Sequence, residues 1–366
     1  GRRQRPGRAG SAAAARQARC GTVSDMAVPL DPPHAPSPHL PAVRWTVAGT
    51  ALALLLCAPL VLDAYYLHAL IFAMIFLLPA HGLNLILGYT GMLSLAQGVF
   101  FGIGAYASAL LSMHFGTPFV LNLCAAAVVA GLVALPLGVP ALRLRTTSFV
   151  MCTLGFVVIA QMVAKNWIDL TRGDMGLSGI ARPKLALPGL GEHALAITQI
   201  PQYYYLILVV ALLATGLFVA LIRSPAGRCM VAIRDNETLA ESVGIPTWHY
   251  KLIVFMLSAA FAGLGGSLYA HYETVVSPLV FQMYYSNMIL VIVLGGGVGR
   301  LPGALIGSFL FVALTEALRI TPELRMIIYG FVLLLLVFIF PQGIAPLVER
   351  ATERLARLGE KKGGAA

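Results

Sequence analysis

The stretch GYTGMLSLAQGVFFGIGAYASALL, residues 88–111, repeats glycine within an apolar run that carries no charged side chain. Helices in lipid gain no hydrophobic free energy by associating, so close packing depends on small residues that let two backbones approach. Two sets of small or polar residues recur here at helical spacing: Gly98, Gly102 and Ala105, and Gly91, Ser94 and Gln97. The stretch therefore predicts a membrane helix that packs closely through its glycines.

A second stretch, SAAFAGLGGSLYA at residues 258–270, repeats the pattern with Ala259, Gly263, Gly266 and Ala270. Ser94 and Gln97 are polar, so they either line a solute path or form hydrogen bonds between helices. The residues predicted to pack helices together or to line such a path are Gly88, Gly91, Ser94, Gln97, Gly102, Gly104, Tyr106, Gly263 and Gly266.

Composition indicates a membrane protein, because 58% of the 366 residues are hydrophobic and 11% are charged, against about 25% charged residues in soluble domains. A membrane-spanning helix needs roughly 20 apolar residues, whereas barrel strands alternate apolar and polar residues. The continuous apolar runs thus predict an all-α, polytopic bundle. Ten spans are expected: Thr46–Leu62, Tyr65–Leu87, Met92–Met113, Phe119–Ala141, Ser148–Val163, Tyr203–Ile222, Leu252–Tyr272, Met283–Leu294, Leu301–Leu318 and Met326–Phe340.

Basic residues are distributed unequally over the loops between these spans. The set of loops that includes both termini holds 19 of the 25 lysines and arginines, and the other set holds 6. Because basic loops stay in the cytoplasm, we expect both termini there and the loop of residues 165–202 on the opposite side. The net charge of +10 is scattered rather than gathered in one patch, so nucleic-acid binding is not expected.

The first 45 residues differ in composition from the rest of the chain. They are rich in Arg, Ala and Pro and lack apolar periodicity, which predicts disorder. The segment also resembles a transit peptide in composition, and an alternative interpretation starts translation at Met26. The predicted domains are this extension at 1–45, a transmembrane domain at 46–346 that includes the loop at 223–251, and a basic cytoplasmic tail at 347–366.

Several kinds of chemistry have no sequence support. No phosphate-binding G-x-x-x-x-G-K-[ST] loop occurs, and the five cysteines and eight histidines are too dispersed for a zinc site or a disulfide framework. The glycine-rich residues 294–303 read as a tight turn between spans. Glu316 is the one acidic residue inside a predicted span, with Asp63 and Glu273 at edges, which disfavours ion-coupled transport. We expect no catalytic residue and no metal site.

The loop at residues 223–251, RSPAGRCMVAIRDNETLAESVGIPTWHYK, has the signals of a short helix. Asp235 or Asn236 can cap its start, and Gly244 followed by Pro246 ends it. Leu239, Ala240 and Val243 are expected on one side of it. A short amphipathic helix that leads directly into a new span predicts a docking element.

The chain resembles the M-type permease subunits of bacterial ABC importers for branched-chain amino acids. The resemblance runs from about Tyr65 to Pro346 and rests on four segments in order: residues 88–111, LTRGDMGLSGIARP at 170–183, SPAGRCMVAIRDNETLAESVGI at 224–245 and LGGGVGRLPGALIGSFLF at 294–311. The family often has Gly-His where this chain has Ala96-Gln97.

The resemblance implies a type II importer permease in the bacterial inner membrane. Its implied partners are a second related permease, two cytoplasmic ATPases that carry ATP and Mg²⁺, and a periplasmic solute-binding protein. The coupling segment would include Gly227, Arg228, Ala232, Ile233, Arg234, Asp235, Asn236, Glu241, Gly244 and Ile245, with Arg234 and Glu241 as candidates for contacts with the ATPase. A urea or short-amide permease of the same superfamily, an ion-coupled carrier and a membrane-embedded enzyme are the alternatives.

Overall fold

A computed structural model describes residues 40–144, 146–185, 195–196, 199–317, 331 and 343–347. The predicted extension before residue 40, the tail after residue 347 and, apart from residue 331, the predicted tenth span lie outside the described residues. Glu316 lies within a described helix, although its side chain is not described.

The described residues are overwhelmingly helical, which confirms the predicted all-α class. In chain order the α-helices are α1 Leu40–Val61, α2 Ala64–Leu83, α3 Gln97–Phe115, α4 Phe119–Ala141, α5 Thr146–Asn166, α6 Ile168–Thr171, α7 Ile200–Arg223, α8 Pro225–Asp235, α9 Glu237–Ser242, α10 Thr247–Glu273, α11 Met283–Gly296 and α12 Leu301–Ala317.

Within the described ranges, six segments are long and apolar enough to cross a membrane: Ala64–Gly88, Gln97–Phe115, Phe119–Ala141, Thr147–Asn166, Ile200–Arg223 and Thr247–Glu273. Three shorter apolar helices, Leu52–Val61, Met283–Gly296 and Leu301–Thr315, lie at predicted spans. The predicted span Phe119–Ala141 has the observed bounds. The first helix begins at Leu40 rather than Thr46, because a proline, here Pro41, is compatible with the first turn of a helix.

The opening stretch departs from its predicted helix over residues 92–96. α2 continues into a π-helix at Asn84–Gly88, and α3 begins only at Gln97. Gly91 has φ +74°, which takes the backbone out of the helical region, and Thr90 Oγ1 donates a hydrogen bond to the carbonyl of Ile86 at 2.6 Å. The prediction that Gly91, Ser94 and Gln97 share a helical stripe is therefore wrong.

Helix α10 lies at the centre of the bundle and packs against α2, α3 and α4. The apolar stretch of α2 is 83% buried, whereas those of α4 and α5 are 28% and 22% buried, so α4 and α5 are peripheral. Helices α3 and α10 run parallel, because Gln97 at the start of α3 contacts Ser258 near the middle of α10, and Ser108 contacts Ser267 further along both helices.

Strand structure in the described chain consists of two short antiparallel pairs. β1 (Leu177–Ser178) pairs with β4 (Val275–Val276), and β2 (Lys184–Leu185) pairs with β3 (Leu195–Ala196). Two 3-10 turns, Gly173–Met175 and Pro278–Phe281, adjoin these strands in the chain. The β1–β4 pair places the loop of residues 165–202 at the end of the bundle where α10 finishes, opposite the loop that precedes α10.

Candidate functional site

The loop before α10 contains two helices, α8 and α9, here called the helix pair. Ser224 caps α8, since its Oγ accepts a hydrogen bond from the backbone N–H of Gly227 at 3.4 Å. Pro225 occupies the first helical position, where its missing N–H costs nothing. Sequence reasoning missed α8, although Ser followed by Pro was a readable start signal.

Helix α9 has the boundaries that its sequence predicts. The Oδ1 of Asn236 accepts a hydrogen bond from the N–H of Leu239 at 3.0 Å, which identifies Asn236 rather than Asp235 as the cap. At the other end, Gly244 has φ +87°. Its N–H donates to the Glu241 carbonyl at 2.9 Å, and the Ile245 N–H donates to the Ala240 carbonyl at 3.1 Å, which is the Schellman pattern.

Two side-chain contacts attach α9 to the start of α10. Thr247 Oγ1 donates to Glu241 Oε1 at 2.6 Å, and Lys251 Nζ forms an ion pair with Glu237 Oε1. Glu241, predicted to contact a partner, thus bonds within its own chain. The orientation of α9 is consequently tied to the first turns of α10.

The apolar residues of α9 are divided between two faces. Ala240 is 3% exposed, whereas Leu239 and Val243 are 62% and 71% exposed. The prediction that these three share one side is wrong: Leu239 lies about 100° around the helix from the buried Ala240, and Val243, the residue that follows α9, is exposed as well. We call Leu239 and Val243 the apolar pair. Nearby is an open depression of about 340 Å³ lined by Glu241, Gly244, Ile245, Pro246, Thr247, Trp248 and His249.

The remaining residues predicted for this segment have varied environments. Gly227 is buried so tightly that a Cβ there would overlap the carbonyl of Ile222. Ile233 is also buried, Ala232 and Ile245 are half-buried, and Arg228 and Asp235 are exposed.

Arg234 joins the helix pair to the rest of the bundle. Its Nη1 donates a hydrogen bond to the carbonyl of Gly88 at 2.6 Å, and its Nε lies 3.8 Å from Asp235 Oδ1. The structure thus brings together the predicted residues Gly88, Gly91 and Arg234. Burial raises the pKa of the adjacent Tyr89 and the positive charge of Arg234 lowers it, so the guanidinium acts on this tyrosine as well.

Asn84, at the start of the π-helix, binds the turn between α11 and α12. Its Oδ1 accepts from the N–H of Gly299 at 2.8 Å, and its Nδ2 donates to the carbonyl of Arg300 at 3.0 Å. We call Asn84, Gly88, Gly91, Arg234 and Gly299 the junction. Sequence reasoning missed it because contacts between a side chain and a backbone more than 140 residues away leave no periodic signal.

Glycines lie at the crossing of α3 and α10, where the two helices approach closely. A Cβ at Gly104 would overlap the backbone of Gly263, and one at Gly266 would overlap the carbonyl of Phe101. A Cβ at Gly263 would lie 2.6 Å from the carbonyl of Ala126 in α4. The three helices therefore meet at backbone-to-backbone distance.

Other members of the predicted path set also lie in close packing. A Cβ at Gly102 would lie 2.7 Å from the Phe281 ring, and Tyr106 stacks on that ring with centroids 5.6 Å apart. Ser94 is buried, and its Oγ accepts from the N–H of Ala96 at 3.3 Å.

Gln97 forms hydrogen bonds between helices, which was one of the two roles considered for it from the sequence. Its Nε2 donates to the carbonyls of Pro79 at 3.2 Å and Ser258 at 3.0 Å, and its Oε1 accepts from Ser258 Oγ at 3.2 Å. The residue is 1% exposed. A role for Ser94 or Gln97 in the solute path stays a prediction.

A buried polar chain connects the far end of α10 to the loop of residues 165–202. The Nδ1 of His271 lies 2.9 Å from the carbonyl of Ala181, which can only accept, so Nδ1 carries the proton. Its Nε2 then accepts from Ser108 Oγ at 3.0 Å, and Ser108 accepts from Ser267 at 2.8 Å. In the described part of the chain, no group of three or more His, Cys, Asp or Glu side chains could hold a metal ion.

This arrangement defines a multi-pass helical membrane protein with a capped helix pair at one end. The profile of the family described as branched-chain amino acid transport system, permease component, matches residues 65–337, and the chain belongs to this family of transport permeases.

Three relatives of this chain differ in identity, and one of them is named for a different solute. The chain is 34% identical over 290 residues to the high-affinity branched-chain amino acid transport system permease protein LivM of Escherichia coli, covering 75% of this chain and 68% of the relative. It is 26% identical to LivH of Salmonella typhimurium, over 74% of this chain and 92% of the relative. It is 29% identical to the guanosine ABC transporter permease protein NupQ of Bacillus subtilis, over 46% of this chain and 55% of the relative. The higher identity to LivM agrees with the M-type assignment. No solved structure matches significantly.

Proposed function

We propose that this chain is the permease subunit of an ATP-driven importer that translocates branched-chain amino acids. It pairs in the membrane with a second, related permease, and receives its solute from a periplasmic binding protein. The observation that carries the proposal is the helix pair, which presents two exposed apolar side chains at one end of a bundle of this permease family.

The apolar pair is the proposed contact with a cytoplasmic ATPase. Leu239 and Val243 lie outside the segments that are long and apolar enough to span a membrane, and both are exposed. Burying two such side chains contributes about 1.5–3 kcal/mol each. The sequence has no phosphate-binding loop, so ATP and Mg²⁺ belong on the partner ATPases, and the chain itself acts as a transport subunit rather than an enzyme.

The proposed location is the bacterial inner membrane, with the helix pair and both termini in the cytoplasm. The excess of basic residues in the loops on that side supports this orientation. The separation of the two loops to opposite ends of α10 fits it, because the loop of residues 165–202 is then free to receive the binding protein.

A second candidate function is an ATP-driven importer of the same kind that carries a different solute. The relative NupQ is named for guanosine, so a small polar solute other than a branched-chain amino acid, including the urea or short amide considered from the sequence, is the alternative. Uptake assays with competing solutes distinguish these cases.

The docking role is tested by replacing Leu239 and Val243 together with serine. We expect the co-expressed ATPases, identified by their phosphate-binding loop, to bind the variant at least about tenfold more weakly, because two apolar contacts are lost. The matched control is Met175→Ser, which changes a side chain that is 90% exposed at the opposite end of the bundle. Equal ATPase affinity in the double variant and the control would contradict the docking proposal.

A further inference from the structure

Arg234 is the last basic residue of α8, yet its side chain turns away from the apolar pair toward the bundle. Its Nη1 donates a 2.6 Å hydrogen bond to the carbonyl of Gly88, while Asp235 lies on the Nε side at 3.8 Å. Gly88 ends the π-helix that continues α2. A cation is favoured at such a C-terminal end, where carbonyl groups lack partners in the helix and the dipole is negative.

The turn between α11 and α12 belongs to the same assembly. Asn84 uses both ends of its amide to hold Gly299 and Arg300, and its side chain is buried. Arg234 and Asn84 therefore connect three separate parts of the chain: the helix pair, the end of α2 and the turn before α12.

The junction brings its parts into close contact, although the side chain of Arg234 is 44% exposed. A Cβ at Gly91 would lie 3.3 Å from Arg234 Cγ, and one at Gly299 would lie 2.9 Å from Arg234 Nη1 and 3.0 Å from the Gly88 carbonyl. The Arg234 side chain therefore contacts Gly91 through its aliphatic part and lies beside Gly88 and Gly299 through its guanidinium.

We propose that Arg234 is a positioning residue that transmits movement of the helix pair to the ends of α2 and of α11 and α12 through the Gly88 carbonyl. The inference rests on the proposed function, since the movement originates in the partner ATPases. It assigns to Arg234 a role inside the chain, separate from docking by the apolar pair. The proposal requires that this bond be held throughout the transport cycle.

The first test compares Arg234→Gln with Arg143→Gln in the full complex reconstituted with ATPases, second permease and binding protein. Arg143 is an exposed arginine outside the helix pair and the junction. A charged hydrogen bond contributes enough to change an equilibrium about tenfold or more. We expect Arg234→Gln to retain ATPase binding and basal ATP hydrolysis, and to lose stimulation by solute-loaded binding protein by about tenfold. Arg234→Lys should recover part of it.

The second test removes the hydrogen bond to Gly88 and joins positions 234 and 91 by a disulfide instead. The Cβ built at Gly91 lies 4.0 Å from the Cβ of Arg234, within the range for a disulfide, about 3.5–4.5 Å. Gly91→Cys with Arg234→Cys is made after the five native cysteines are changed to serine. We expect weak stimulation in the reduced form and restored stimulation after oxidation, while the Gly91→Cys and Arg234→Cys single variants do not respond to oxidation.

The outcomes of these tests distinguish a failure of the role proposed for Arg234 from a failure of the proposed transport function. Because Gly91 has φ +74°, the Gly91→Cys single variant also measures the effect of a strained side chain there. Full stimulation in Arg234→Gln, loss of ATPase binding in it, or a cross-linked form that stays unstimulated while the Gly91→Cys single variant is stimulated overturns the role of Arg234 and leaves the proposed function standing. Absence of stimulation in the unmodified complex overturns the proposed function, and this inference with it.

Discussion

Single glycines determine how closely α3 and α10 approach. At Gly104, Gly263 and Gly266, the space for a Cβ is already filled by backbone atoms of a neighbouring helix. A backbone cannot move aside as the end of a flexible side chain can. Substitution at these three positions must therefore separate the helices or distort them.

We expect Gly266→Val to lower the stability of the purified protein by about 1–3 kcal/mol or more, the usual effect of overpacking. Thermal unfolding in detergent measures this change. The control is Gly216→Ala in α7, where nothing lies within 4 Å of an added Cβ, and where alanine favours the helix by up to about 1 kcal/mol. Equal unfolding temperatures for the two variants would show that the crossing tolerates side chains.

The spacing of Gly263 and Gly266 was sufficient to predict this packing face, because helix contact recurs every three or four residues. Arg234 and Asn84 had no such signal. Each binds backbone groups distant in the sequence, and any residue type presents a carbonyl. Only the folded chain reveals which carbonyl is close.

At the scale of elements, long apolar helices were predictable because length and continuous hydrophobicity are local properties. The errors lie where helices are broken or short. The segment 92–96 is apolar, but the bend at Gly91 and the π-helix before it interrupt the helix. Helix α8 mixes apolar and charged residues, and its start at Ser224-Pro225 was the only clear signal.

The end of α9 provides a prediction at this scale. Gly244 has φ +87° with open space around it, so a substitution there acts through the backbone alone. Valine costs at least about 1–2 kcal/mol in this conformation and redirects Ile245 and the start of α10, whereas asparagine tolerates it. We expect Gly244→Val to reach the membrane and to lose most uptake, and Gly244→Asn to retain it.

Uptake of radiolabelled leucine into membrane vesicles, normalised to the amount of permease on an immunoblot, measures both variants. Unchanged uptake by Gly244→Val would mean that the fixed end of α9 is not needed for coupling.

For the whole molecule, the structure separates two regions along α10. One end carries the helix pair and the junction, and the other carries the short strands and the His271 hydrogen bonds. Glycine crossings between them make the bundle close-packed. A close-packed bundle with a separate exposed surface at each end fits the proposed role of a subunit that relays a movement across the membrane.

The central claim is tested most directly by transport in proteoliposomes that contain this chain, a second permease and two ATPases. Accumulation of leucine is measured with and without ATP inside and binding protein outside, in the presence of ionophores that collapse proton and sodium gradients. We predict accumulation that requires both ATP and the loaded binding protein and is unaffected by the ionophores. Accumulation that proceeds without ATP and disappears with the ionophores would contradict the account and identify an ion-coupled carrier.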